Sequence, residues 1–140
     1  MLPNASRIVG LPEKEDTIRG FSAVGLMIID EASRVSDDMY HALRPMLAVR
    51  GGALWLMSTA NGKRGFFYRE WAGNKTWVRV KATAEECPRI PRAFLEEERA
   101  TLSEDKFRQE YNCEFLVEEG ALFDEAEIRA RISTRVKPLW

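Results

Sequence analysis

The sequence is short of cysteine and histidine, has no long apolar run, and shows no excess of either charge; each shortage removes a class of protein. Its two cysteines, Cys87 and Cys113, stand far apart and match no zinc-ligand spacing, so they are expected to be reduced thiols of a cytoplasmic protein. His41 is the only histidine, which excludes a histidine metal cluster; it lies among helix residues, where a plain helix-surface role is expected over catalysis, and no Ser-His-Asp triad can be argued from the sequence. No apolar stretch approaches the roughly 18–20 residues of a membrane span. The N-terminus has no basic segment followed by an apolar one, so no signal peptide is expected. Lys and Arg total 21 against 22 Asp and Glu, a net charge of −1. No chain-wide cationic field marks a nucleic-acid binder, and any DNA contact must come from a local patch or from neighbouring subunits.

What is present suits one domain with a real core: 140 residues, 45% hydrophobic and 31% charged. Ser6 to Leu11 reads as a short strand stopped by Pro12, and Glu13 to Ser22 as a loop. Val24 to Ile29 and Ala53 to Met57 are near-continuous apolar runs, the pattern of parallel strands covered on both faces. Between them a helix is expected from a Ser36 or Asp37 cap through Leu47, broken near Arg44 by Pro45 and ended by Gly51-Gly52. Gly65 to Trp71 reads as a short aromatic helix and Trp77 to Val80 as a third strand. Helical patterns follow over Pro91–Leu102, Asp105–Cys113 and Asp124–Ile132, with Glu114–Val117 ambiguous. Strands separated by helices argue an α/β fold with a parallel sheet, and the charge-rich segment from Glu85 onward a helical subdomain.

The first of these apolar runs ends abruptly in Asp30 and Glu31. A buried unpaired charge is costly, so the pair is expected where the strand emerges into solvent. A magnesium-nucleotide site needs this arrangement: Asp30 to hold the metal, directly or through water, and Glu31 to polarise the water that attacks a γ-phosphate. A Walker B element is built this way, although a buried strand followed by acidic residues that open a helix gives the same letters. Ser58-Thr59-Ala60 ends the next strand, and in open parallel sheets ligands bind at that edge. The two strands bring Asp30, Glu31, Ser58 and Thr59 to one rim, where a hydroxyl can sense a γ-phosphate or, alternatively, cap its own backbone.

Gly62-Lys63-Arg64-Gly65 is not a phosphate loop: Arg64 stands where Ser or Thr is required, and no glycine stands four residues ahead of the Gly-Lys pair. Lys63 and Arg64 read equally as contacts to DNA or a neighbouring subunit and as a solvated basic turn. Arg19, beside flexible Gly20, has two readings as well. One is an arginine finger entering a neighbour's site; the other is a surface arginine paired with Glu13, Glu15 or Asp16. Phe66, Phe67, Tyr68 and Trp71 are able to stack bases, but their helical spacing argues core packing.

Taken in order, Ser6-Arg7-Ile8, Thr17 to Ser22, Leu26 to Ala32, Arg44 to Leu47, Ser58 to Phe67 and Phe107 to Tyr111 resemble the large subunit of tailed-phage terminases, the DNA-packaging motor. The resemblance runs through Gly120-Ala121-Leu122-Phe123, nearly the whole chain. It implies that Asp30 is the Walker B aspartate on Mg2+ and Glu31 the catalytic glutamate. It further implies that Ser58 and Thr59, with Ala60, form the coupling motif at bound ATP, and that Arg19 acts in trans. The implied fold is a partial P-loop NTPase-like parallel sheet with flanking helices over residues 1–84, followed by a helical linker subdomain over residues 85–140. The implied partners are double-stranded DNA, other terminase subunits and the portal protein, met in the cytoplasm of the bacterial host and transiently at the procapsid portal.

These 140 residues contain neither the family's Walker A loop nor its nuclease domain. The expectation is therefore a split gene, a prophage remnant or a fragment of a longer product, carrying the Walker B half of an ATPase domain and inactive alone. It would act with a P-loop-bearing partner chain. The alternatives are a non-catalytic remnant or regulatory module that binds terminase subunits, portal or DNA, and a fragment of a helicase-type translocase.

Overall fold

The structure, a computed structural model, describes residues 6–12, 20–73 and 76–117. Strands β1 (Leu26–Ile29) and β2 (Ala53–Leu56) pair in parallel, Leu26 opposite Ala53 and Ile29 opposite Leu56. Parallel strands need a crossover. Here it consists of helix α1 (Asp37–Leu43) and a 3-10 helix over Arg44–Leu47. Helix α2 (Gly65–Ala72) follows β2, and α3 (Arg92–Thr101) and α4 (Glu104–Tyr111) follow in turn. The chain is thus of the expected α/β class.

Local chemistry sets the helix ends. Ser36 caps α1, its Oγ accepting from the Met39 N–H at 3.2 Å, and Asp37 and Asp38 in the first turn favour the positive end of the helix dipole. Pro45 has no N–H to continue the ladder, so α1 stops at Leu43 and the chain tightens into the 3-10 turn, the break expected near Arg44. Pro91 stands at the cap position of α3 rather than inside its first turn, and Ser103 caps α4. At the turn before β2 the Gly52 backbone passes so close to Val24 that a Cβ there would lie 2.1 Å from the Val24 carbonyl oxygen. Only glycine allows that approach.

Met27 and Ile29 of β1 turn inward onto Met39, Leu43 and Phe66. Tyr40 stacks on Phe66 with ring centroids 4.0 Å apart and planes 3° from parallel. Phe66 and Phe67 are buried, and Tyr68 and Trp71 pack around Phe115, so the aromatic cluster is core, as its spacing argued. His41 lies exposed on α1 and both cysteines are free thiols. A second, smaller cluster forms where α3 meets α4. There Leu95 and Phe107 are buried, and the Arg99 guanidinium lies 4.4 Å from the centre of the Phe107 ring.

The sheet departs from expectation. Its strands are covered on one face only: Met27 and Ile29 are buried, whereas Leu26, Ile28 and Trp55 are 47%, 50% and 56% exposed. Helices α1 and α2 and the 3-10 turn pack on the Met27–Ile29 side, and an apolar run by itself does not say how many faces are covered. Trp77–Val80, expected as a third strand, forms no strand and joins no sheet among the described residues. Its alternation has another cause: Trp77 and Arg79 turn in to hydrogen-bond Glu70, leaving Val78 and Val80 exposed. Residues 6–11 likewise form no ladder. The helix expected over Asp124–Ile132, and residues 13–19 of the expected loop, lie outside the described residues.

Candidate functional site

Both strands end at the same edge, and the loops that leave them are stitched together. The Met57 N–H donates to the Ile29 carbonyl at 3.0 Å and the Ala32 N–H returns to the Met57 carbonyl at 3.0 Å. Ser58 Oγ then accepts from the Ser33 N–H at 3.2 Å and donates to Ser33 Oγ at 2.8 Å. Ala32, with no exposed surface, fills the joint. Asp30, Glu31, Ser58 and Thr59 therefore share one rim, with both carboxylates exposed to solvent.

Asp30 folds one oxygen back, Oδ1 accepting from the Glu31 N–H at 3.0 Å. That bond accompanies a left-handed backbone at Glu31, φ +50°, a conformation that costs a residue with a Cβ roughly 1–2 kcal/mol. Backbone strain of this kind gathers at functional sites. Among the described residues no cluster of three or more metal-ligating side chains forms. A magnesium ion that keeps most of its waters needs only one or two carboxylates when phosphates supply the remainder. Asp30 fits that limited share and not a stand-alone metal site.

Two residues that the sequence reading missed complete the rim. Arg34 reaches Glu31 at 3.7 Å and Glu110 of α4 at 3.5 Å, one guanidinium shared by two carboxylates. Glu110 also accepts from the Thr59 hydroxyl at 3.1 Å and from Lys106 at 2.7 Å. The Lys106 ammonium, opposed by partial burial and helped by Thr59, holds the Glu110 carboxyl below its ordinary range. The Glu31–Arg34 spacing of three was a legible signal, since such spacing brings side chains together in a helical turn. Nothing in the sequence joins Thr59 to Glu110, 51 residues away.

Asp37 was also missed. Its carboxylate caps the next helix rather than its own, taking the Phe66 N–H at 2.7 Å and Arg69 at 2.8 Å, where Arg64 offers no side-chain cap. The Arg69 hydrogen bond, more than any other influence, keeps the Asp37 pKa low. Lys63 and Arg64 are exposed at the turn before α2. Arg19 lies outside the described residues.

A parallel α/β sheet with paired carboxylates and small hydroxyls on the C-terminal rim defines a candidate ligand-binding α/β domain. The comparisons narrow this class. Residues 6–130 match the family model described as "Terminase large subunit, T4likevirus-type, N-terminal". A large terminase subunit of Escherichia phage T5 is 37% identical over 114 residues, covering 74% of this chain and 26% of that protein. The ATPase domain of the Thermus phage P74-26 large terminase superposes with a TM-score of 0.60 at 24% identity, covering 73% of this chain and 47% of that one. A mutant of that domain gives 0.56, covering 69% and 46%. The chain belongs to the terminase large-subunit family, and it spans about a quarter of the T5 relative's length.

Proposed function

We propose that this chain is the Walker B and coupling half of a terminase ATPase domain that powers the packaging of double-stranded DNA. The observation that carries the reading is the hydrogen-bonded joint between the Asp30-Glu31 loop and the Ser58-Thr59 loop. Such a joint lets a change at either loop move the other. In this reading Asp30 takes a share of the Mg2+ that arrives with ATP, and bound Mg2+ would neutralise charge on the β- and γ-phosphates. Glu31 orients the attacking water, Ser58 and Thr59 register the γ-phosphate, and Arg19 works in trans on a neighbouring subunit. Residues 1–84 form the motor half and residues 85–140 a helical linker leading toward a nuclease domain. The partners are DNA, other terminase subunits and the portal, in the cytoplasm of the bacterial host; no described helix is long and apolar enough to cross a membrane.

The 140 residues contain no P-loop pattern, so the grip on the β- and γ-phosphates must come from polypeptide outside them. The chain alone is expected to hydrolyse almost no ATP, and to gain turnover when a P-loop-bearing polypeptide is added. Glu31→Gln should then lower that turnover about 10²-fold or more, the scale of losing a group that handles a proton in the transition state. Brisk Glu31-dependent hydrolysis by the isolated chain would sink the proposal.

One observation favours a second, non-catalytic reading, a module that binds terminase subunits, portal or DNA. The hydroxyls of Ser58 and Thr59 are already engaged by Ser33 and Glu110, and Arg34 approaches Glu31. Binding to those partners that is indifferent to ATP and to Glu31→Gln would support it. The helicase-type alternative has no structural observation in its favour.

A further inference from the structure

Three donors converge on one carboxylate at the rim. Glu110 Oε2 accepts from the Thr59 hydroxyl at 3.1 Å. Glu110 Oε1 accepts from Lys106 at 2.7 Å and lies 3.5 Å from the Arg34 guanidinium. Lys106 stands one turn back on α4 itself, whereas Arg34 and Thr59 belong to the loops that leave β1 and β2. Glu110 therefore ties α4 to the rim through one hydroxyl and one guanidinium. The tie is polar: Phe107, the buried residue of α4, lies outside the core built on Met27, Met39 and Phe66.

An arginine fork and a hydroxyl also suit a phosphoryl group, because carboxylate and phosphate offer similar oxygens to the same donors. Arg34 is half-exposed, so it can turn to another anion without leaving a buried charge behind. Exposed ion pairs of this kind are weak. A phosphoryl group, with close to twice the charge and three acceptor oxygens, outcompetes a single carboxylate for them. We propose that Glu110 is a built-in competitor for phosphate: it holds the Thr59 and Arg34 donors until an arriving phosphoryl group displaces it and frees α4 from the rim. That this group is the γ-phosphate of ATP rests on the function proposed above. Lys106 leaves with Glu110 as an ion pair of α4, so the departing carboxylate keeps a partner. Asp30 and Glu31 stand on the same rim and repel an anion, so the exchange needs Mg2+ beside them.

The test is a titration of the 140-residue chain with inorganic phosphate in excess Mg2+ at constant ionic strength, followed by residue-resolved NMR. In the wild type, the Thr59 amide and the Arg34 side chain should shift at one midpoint with the α4 amides from Lys106 to Tyr111. Glu110→Gln keeps the side chain's shape, removes its charge, and should tighten phosphate about tenfold, the scale of one charge competing at an exposed site. Adding Arg34→Gln should cancel that gain. Asp105→Asn removes the same charge from the same helix at a residue paired with Arg108, and should change affinity less than about twofold. Affinity that Glu110→Gln leaves unchanged or weakens overturns the proposal, as does equal tightening by Asp105→Asn, which is net charge alone. So does a Thr59 signal that ignores phosphate, or one that moves while α4 stays still; this wild-type arm stands whether or not a variant folds. Adding a P-loop-bearing polypeptide separates the two proposals. Exchange without Glu31-dependent hydrolysis keeps the competitor and removes the catalytic reading. Hydrolysis with α4 indifferent to phosphate keeps the catalytic reading and removes the competitor.

Discussion

The two faces of the sheet differ more than their sequences do. Adjacent residues Ile28 and Ile29 are the same amino acid on the same strand, yet one is 50% exposed and the other 7%. The inward face is fixed by the crossover: α1 and α2 place Met39, Leu43 and Phe66 against Met27 and Ile29. The outward face carries Leu26, Ile28 and Trp55 with half their surface open. Each such side chain forgoes about half of the roughly 1.5–3 kcal/mol that full burial gives. One face therefore supplies this chain's stability, and the other supplies a surface whose burial would stabilise an assembly.

Substitutions at these positions break or sharpen the contrast, and their expected effects fall in order. Phe66→Ala, on the closed side, removes a fully buried ring stacked on Tyr40 and should cost about 3–5 kcal/mol, read by chemical denaturation. Gly52→Ala should cost about 3 kcal/mol, because its methyl meets not only the Leu47 side chain but the Val24 carbonyl oxygen and the Gly25 carbonyl carbon, backbone atoms that cannot swing away. Ile29→Ala should cost about 2–4 kcal/mol and Ile28→Ala under about 1; equal losses would show the outward face to be covered in solution. Asp37→Ala, which uncaps α2, should cost about 1 kcal/mol. Because the folded pKa of Asp37 lies below its ordinary value of 3.8, its contribution is complete above that pH and fades as pH falls through the folded value. In a pH titration of unfolding, Asp37→Ala should flatten the acid limb. Glu31→Gly is the smallest: it relieves the left-handed strain while loosening the unfolded chain, and should change stability by less than about 1 kcal/mol while abolishing any Glu31-dependent turnover.

Much of the rim was legible because it is local. The abrupt change from Ile29 to Asp30-Glu31, and from Met57 to Ser58-Thr59, marks where each strand leaves the core, and the structure puts both exits at one edge. The cap at Ser36 and the break at Pro45 were legible for the same reason, since each depends on neighbours within a turn. Glu110 and Asp37 were not. Their partners, Thr59 and Phe66, lie 51 and 29 residues away, and an acidic residue near the start of a helix suits its own helix first. Trp77–Val80 misled because alternation records which side chains turn in, and here they turn in to Glu70 rather than to a sheet.

Hydrophobic pattern, proline, glycine and capping residues act over a few positions, and so the sequence alone determined β1, β2 and the described helices, while its ordered motifs carried the resemblance to the terminase large-subunit family. How many faces of the sheet are covered depends on where distant helices come to rest, and only the tertiary structure decided it. The same is true of the Arg34–Glu110–Thr59 bridge, which exists only where segments far apart in the chain are held side by side.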